Sequence, residues 1–247
     1  MKYLKYFEEA SAYEAYKTGS DYVLPNVSYV VELAHLPAGD PRKAVMFSPY
    51  VEPAGAPIGA SIYGLDGKFY SASEWTAAGK SNSDAAGVAV SNGEHSFVIH
   101  PTAEQASTMW SINSSVLIDG VFTTTDRVAA ESDFAGESNT VAILAAVSAG
   151  TIADAPAVQY AASITFANGK TGYLPSAGEL TLAYQHLAEI NSCMTAIGGT
   201  KFNMESNRYW SSTQNYAMSA WYWYTSSKRV LGSAKYDAFT VRVVAAL

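Results

Sequence analysis

Trp221-Tyr222-Trp223-Tyr224 reads as a β-strand, and a strand of four consecutive aromatics has a fixed geometric consequence. Successive side chains point to opposite faces, so Trp221 and Trp223 go to one side and Tyr222 and Tyr224 to the other. One of those faces is core. Two readings of the other stay open. Tyr222 and Tyr224 stand in the open, where amphipathic aromatics with few rotors make good binding contacts, or the sheet is covered on both sides. The strand lies within residues 209–247, which open on Tyr209-Trp210-Ser211-Ser212-Thr213 and close on Val241-Arg242-Val243-Val244. A strict frame around oddly assorted short side chains points to a display surface rather than a catalytic pocket. Arg242, set between apolar neighbours, needs a carboxylate or carbonyl partner if it is buried.

Composition narrows the function classes. A chain of 247 residues fits one large domain, or one with a small appendage. Its net charge of −7, without Lys/Arg clusters, argues against nucleic acid or an anionic membrane as partner. No stretch approaches the roughly 20 apolar residues of a membrane span. Lys2 and Lys5 are followed by Glu8 and Glu9 before an apolar run forms, so no secretory signal is expected. Cys193, the single cysteine, excludes an internal disulfide and a cysteine-based zinc site, and its setting in a predicted helix reads as a buried structural thiol.

Two regions differ in pattern. Residues 1–55 read as a small N-terminal arm, a helix-like run of Tyr3, Leu4, Tyr6, Phe7, Ala10, Tyr13 and Tyr16 followed by a strand around Val27–Val31. Such an arm is too small for its own core and is expected to pack on the main body or on another copy of the chain. Residues 48–59, with Pro49, Pro53, Gly55, Pro57 and Gly59, read as a linker. Residues 56–247 read as an α+β domain of short antiparallel strands with two main helices. Asp66-Gly67 and Ser91-Asn92-Gly93 mark hairpins. A first helix begins near Ser138 or Asn139 and carries Val141, Ile143, Leu144 and Val147. A second starts at a capping box, Ser176 and Glu179, and steps through Leu180, Tyr184, Leu187, Ile190 and Met194 to Gly198.

Catalytic motifs are missing. Gly169-Lys170-Thr171 ends like a phosphate-binding loop, but Ile164 stands where that loop requires glycine. No Gly-x-Ser-x-Gly elbow occurs. His35, His95, His100 and His186 have no metal-ligand spacing. Asp126, Glu131, Asp133 and Glu137 cluster without the alternating spacing of a calcium loop and read as solvated loop charges. No catalytic residue, metal ligand or cofactor is assigned.

Several segments together resemble a known family. Gly172-Tyr173-Leu174-Pro175-Ser176-Ala177-Gly178-Glu179-Leu180, the Trp210-Ser211-Ser212-Thr213 turn, Ala220-Trp221 and Val241-Arg242-Val243-Val244 look like the C-type-lectin-fold domains of formylglycine-generating-enzyme type. The similarity is greatest to the variable proteins of diversity-generating retroelements of gut bacteria and their phages, whose leader Ser20–Tyr29 also resembles. The resemblance implies a C-type-lectin-like fold and a ligand- or receptor-binding display protein on a virion or bacterial surface. Its partner would be a protein or glycan, and the N-terminal arm could pair copies of the chain. The enzymatic branch works through a cysteine pair that Cys193 alone cannot supply, and calcium-binding lectin motifs are replaced by Ser211-Ser212. In variable proteins, rewritten codons never yield Lys, Glu, Gln, Trp or Met. Leu231, Gly232, Ser233 and Ala234, then Tyr236, Asp237, Ala238, Phe239 and Thr240, obey that exclusion around Lys235. By family position the resemblance adds Asn215, Ser219, Tyr222, Tyr224, Thr225, Ser226 and Arg229 as ligand-binding. It assigns Trp210, Trp221, Val230, Lys235, Val241 and Arg242 to the frame. The alternative reading is a structural virion or fimbria-like subunit with no diversified ligand site.

Overall fold

The Asp66-Gly67 turn forms as its sequence requires: Gly67 takes φ 75°, and β1 (Gly59–Gly64) folds back on β2 (Phe69–Tyr70). The same holds for β3 (Ala85–Ser91) and β4 (Ser96–Met109). Between them Gly93 takes φ 90°, and the Asn92 side chain accepts from the amides of Glu94 and His95. These strands belong to a computed structural model that describes residues 55–112, 115–203 and 205–247. The predicted N-terminal arm, and any pairing of copies through it, lies outside the described residues.

Four further strands complete an eight-stranded sheet: β5 (Arg208–Tyr216), β6 (Ser219–Tyr224), β7 (Arg229–Ala234) and β8 (Ala238–Ala246). Their order is β2-β1-β3-β4-β8-β5-β6-β7. β8 joins the halves, antiparallel to β4 on one side and parallel to β5 through Tyr209 and Thr240 on the other. The central β3 is buried along its whole length. Its Gly87 has a backbone reason, because a Cβ there would collide with the carbonyl of Ile99.

Helices cover both faces. On one side α5 (Ala177–Gln185) and α6 (Leu187–Ala196) pack Leu180, Leu187, Ile190 and Met194 against Val88, Tyr209, Trp221, Trp223 and Val230. On the other, α3 (Gly136–Ser148) and α4 (Pro156–Ser163) bring Ile143 and Val158 to Val98, Trp110, Trp210 and Val241. Short helices α1 (Ala72–Ala77) and α2 (Arg127–Glu131), and α4 as well, were not expected from the sequence. The α+β class stands, with the sheet as its main body.

The predicted helix from Ser176 to Gly198 is two helices. His186, at φ −110° and ψ 22°, ends α5 and precedes α6. The break has a packing reason: α5 lies on β5, β6, β7 and α2 and reaches β3, whereas α6 lies on β1, β3 and α1, so the two helices meet over β3 and diverge toward opposite ends of the sheet. Cys193 is buried in α6, and burial pushes its thiol up to about 11.

One carboxyl departs from expectation. Asp133, predicted among solvated loop charges, is 2% exposed and accepts from Thr213 Oγ1 at 2.7 Å, Asn139 Nδ2 at 3.0 Å and the Ala135 amide at 2.8 Å. Desolvation is offset because its acceptor capacity is filled by donors from α3 and β5. Its neighbours in sequence act locally: Asp126 caps α2, and Glu131 pairs with Arg127 at 2.7 Å.

Candidate functional site

The hairpins β5–β6 and β6–β7 decide which side chains share a face. In the antiparallel register Tyr224 opposes both Arg208 and Arg229, Tyr222 opposes Leu231, and Ala220 opposes Ser233. Directly opposed residues lie on the same face, so Tyr222, Tyr224, Arg229, Leu231 and Ser233 stand together. The alternate residues turn inward. Trp223 meets Tyr184 of α5 with ring centroids 4.5 Å apart, and Trp221 Nε1 donates to the Thr124 carbonyl at 2.8 Å.

Aromatic contacts organise the Tyr222 face. Tyr222 lies 4.6 Å from Phe239 and 6.4 Å from Tyr224, and it meets Trp210 edge-on at 6.0 Å. The Arg208 guanidinium carbon sits 5.3 Å from the ring centroids of both Tyr224 and Phe239, within cation–π range. Burial raises the Tyr222 hydroxyl above its ordinary value, and the nearby charge of Arg208 pulls it part of the way back. Ser233 Oγ donates to the Asp237 carboxylate. Beside Arg208 a groove of about 260 Å³ runs between Ala106-Ser107 of β4, Ser206-Asn207, and Ala238, Phe239 and Thr240 of β8.

The predicted ligand residues divide by exposure. Ser226, Arg229, Gly232, Tyr236 and Ala238 are exposed, and Asn215, Tyr224, Leu231, Ser233, Ala234 and Asp237 are half-buried. Ser219, Tyr222, Thr225, Phe239 and Thr240 are buried, although solvent-facing positions were expected. Tyr222 and Phe239 cover each other, so the open placement of both tyrosines holds only for Tyr224, and this part of the sheet is packed on both sides. Thr225 Oγ1 accepts from the Asn207 amide at 2.7 Å and donates to its carbonyl, while Thr240 Oγ1 donates to Asn207 Oδ1 at 2.9 Å. These two hydroxyls fix the turn below Arg208. Ser219 opens β6 opposite Ala234. The expected frame residues Trp210, Trp221, Val230, Lys235, Val241 and Arg242 are all buried.

Two buried cations hold the frame. Lys235 Nζ donates to the Val116 carbonyl at 2.9 Å and to Gln214 Oε1 at 2.8 Å, over the Trp110 ring at 4.7 Å. Burial pushes its ammonium down to about 8. Arg242 finds the partners its position demanded: Glu104 Oε2 at 3.3 Å, the carbonyls of Thr200 and His100, and the face of Phe202.

Sequence reasoning missed Arg208 and Gln214. Arg208 adjoins an aromatic strand, the only local hint of its role, and Gln214 has none. A larger cavity, about 430 Å³, lies between Glu94, His95, Phe134, Glu137, Tyr173 and Glu179, with the His95 and Phe134 rings stacked at 3.8 Å. Among the described residues no group of three or more His, Cys, Asp or Glu is placed to hold a metal. No helix among them is long and apolar enough to cross a membrane.

No protein-family model and no curated protein matches the chain. A solved structure is similar in fold. A fimbrial protein from Bacteroides ovatus superposes with a TM-score of 0.53 at 18% identity, over 77% of this chain and 49% of its own. The chain therefore spans about half the length of that protein. At this identity the likeness is one of fold alone.

Proposed function

We propose that the chain is a subunit of a fimbria-like surface assembly that works by contact and carries out no catalysis. The observation that carries this reading is the fold likeness to a fimbrial protein over 77% of the chain. Exposed apolar side chains support it: Leu117 is 54% exposed, Tyr216 53%, Met218 48% and Tyr236 61%. The segments that bear them are tied together, since Lys235 bonds the carbonyls of both Val116 and Met218. Apolar surface gathered in this way marks a contact site. Light scattering after size exclusion tests the reading. Wild type should assemble with concentration, and Leu117→Ser with Tyr236→Ser should shift it to monomer without changing its melting temperature. A wild type that stays monomeric throughout refutes subunit function.

One observation favours a second reading. Trp210, Trp221, Val230, Lys235, Val241 and Arg242 are buried, while Tyr224, Arg229, Leu231, Ser233, Tyr236 and Asp237 keep solvent access. That division suits a C-type-lectin-like variable protein whose face, diversified by a retroelement, binds a protein or glycan on a target surface. The deciding observation is the neighbouring DNA. A near-copy of the codons for residues 209–247, differing at adenines beside a reverse-transcriptase gene, supports diversification, and its absence removes it.

A further inference from the structure

The groove at Arg208 combines three features that the subunit reading does not use. First, its walls carry one cationic side chain and no carboxylate: Ala106, Ser107, Ser206, Asn207, Arg208, Ala238, Phe239 and Thr240. Second, the Arg208 guanidinium rests against Tyr224 and Phe239 at 5.3 Å from each ring centroid. Among the described residues it makes no ion pair, so the rings orient a planar donor fork whose hydrogen bonds are unspent. In a chain of net charge −7 such a group is a local exception. Arg229 flanks Tyr224 from the opposite strand and adds a second positive charge to the same face.

The third feature is the polar rim. Asn207 Oδ1 is occupied by the Arg208 amide and Thr240 Oγ1, and its side chain also reaches the buried Tyr209 hydroxyl, so Asn207 shapes the rim from within. Ser107 takes φ 55° where β4 slips register against β8, and its hydroxyl, like that of Ser206, has no partner among the described residues. A strained residue kept at a groove wall fits a role in binding. Hydroxyl groups beside an aromatic ring, here Ser107 and Ser206 beside Phe239, suit a sugar, whose hydroxyls need partners and whose C–H face packs on a ring. A guanidinium fork suits a carboxylate.

We infer that this groove binds an acidic sugar, with the sugar carboxylate held by Arg208 and the sugar ring against the edge of Phe239. The inference uses the Tyr222 face as a binding surface, in line with the second reading, and depends neither on assembly nor on diversification. Titration of the full chain with glucuronate, glucose, acetate and phosphate, followed by ligand-observed NMR, tests it. Glucuronate should bind in the millimolar range and weaken with added salt, with glucose and acetate at least about tenfold weaker. Arg208→Gln should lose the binding while its melting temperature holds. Ser206→Phe, which fills the groove and leaves the guanidinium in place, should lose it too. The inference is overturned if wild type ignores glucuronate, if either folded variant binds it as wild type does, or if acetate or phosphate binds as well as glucuronate. Light scattering on the same samples separates the proposals. Intact assembly without sugar binding removes this inference alone, and sugar binding by a permanent monomer removes the subunit reading alone.

Discussion

Glu179 shows how one side chain carries both a local and a long-range role. As the capping box predicted, its Oε2 accepts from the Ser176 amide at 2.7 Å, while Ser176 Oγ accepts from the Glu179 amide. The box was legible because Ser and Glu three residues apart before an apolar run form a local signal. Invisible in the sequence was the burial of the Glu179 carboxyl at 4% exposure beneath Tyr173, whose hydroxyl donates to Oε1 at 2.8 Å. Burial raises that carboxyl from 4.5 to about 7. The folded state then holds a proton that the unfolded state has released, so Glu179's contribution is complete below pH 4.5 and is lost as pH rises through 7. Wild type should lose on the order of 3 kcal/mol across that window relative to Glu179→Gln. Denaturant unfolding of both proteins at several pH values checks it, and parallel pH profiles would show that Glu179 does not titrate in this window.

Asp133 belongs to the scale of elements, because it stands between α2 and α3 and fastens α3 to β5 and α5. Its carboxyl reaches Thr213 in β5 and Asn139 in α3, while its carbonyl accepts from Gly178 at the start of α5. Asp133→Ala should cost about 2–4 kcal/mol, since several buried donors lose their acceptor together. Urea unfolding of the variant measures this directly. The role of Asp133 could not be read from the chain: its partner Thr213 lies 80 residues away, and the acidic residues around it do remain local. By contrast the strand of Trp221, Tyr222, Trp223 and Tyr224 was legible, because a period of two sorts faces without knowledge of neighbours. Which face would be covered depended on Phe239, brought to Tyr222 by β8. Arg208 was missed for the same reason, as its two rings come from β6 and β8.

The whole sheet explains why free filling and strict frame coexist in one stretch of chain. Val230 is fully buried, whereas Arg229 and Leu231 on either side keep solvent access. Joint replacement of Leu231, Ser233, Tyr236 and Asp237 by small polar residues should leave stability within about 1–2 kcal/mol, the range of surface changes added together. Val230→Asp in the same background should unfold the domain, because an unpaired carboxylate would enter the core. Circular dichroism during thermal melting distinguishes the two, and collapse of the surface variant would refute the division between frame and filling. The joining strand β8 gives this arrangement an order in time. It follows every other described strand along the chain and is the one that links β4 to β5. During synthesis the two half-sheets therefore emerge from the ribosome with their shared border unpaired, and residues 229–237 are already out before the strand that secures them. A protein built this way must be kept from pairing β4 or β5 with a stranger until β8 arrives, so it stays open to misassembly for as long as β8 has not emerged.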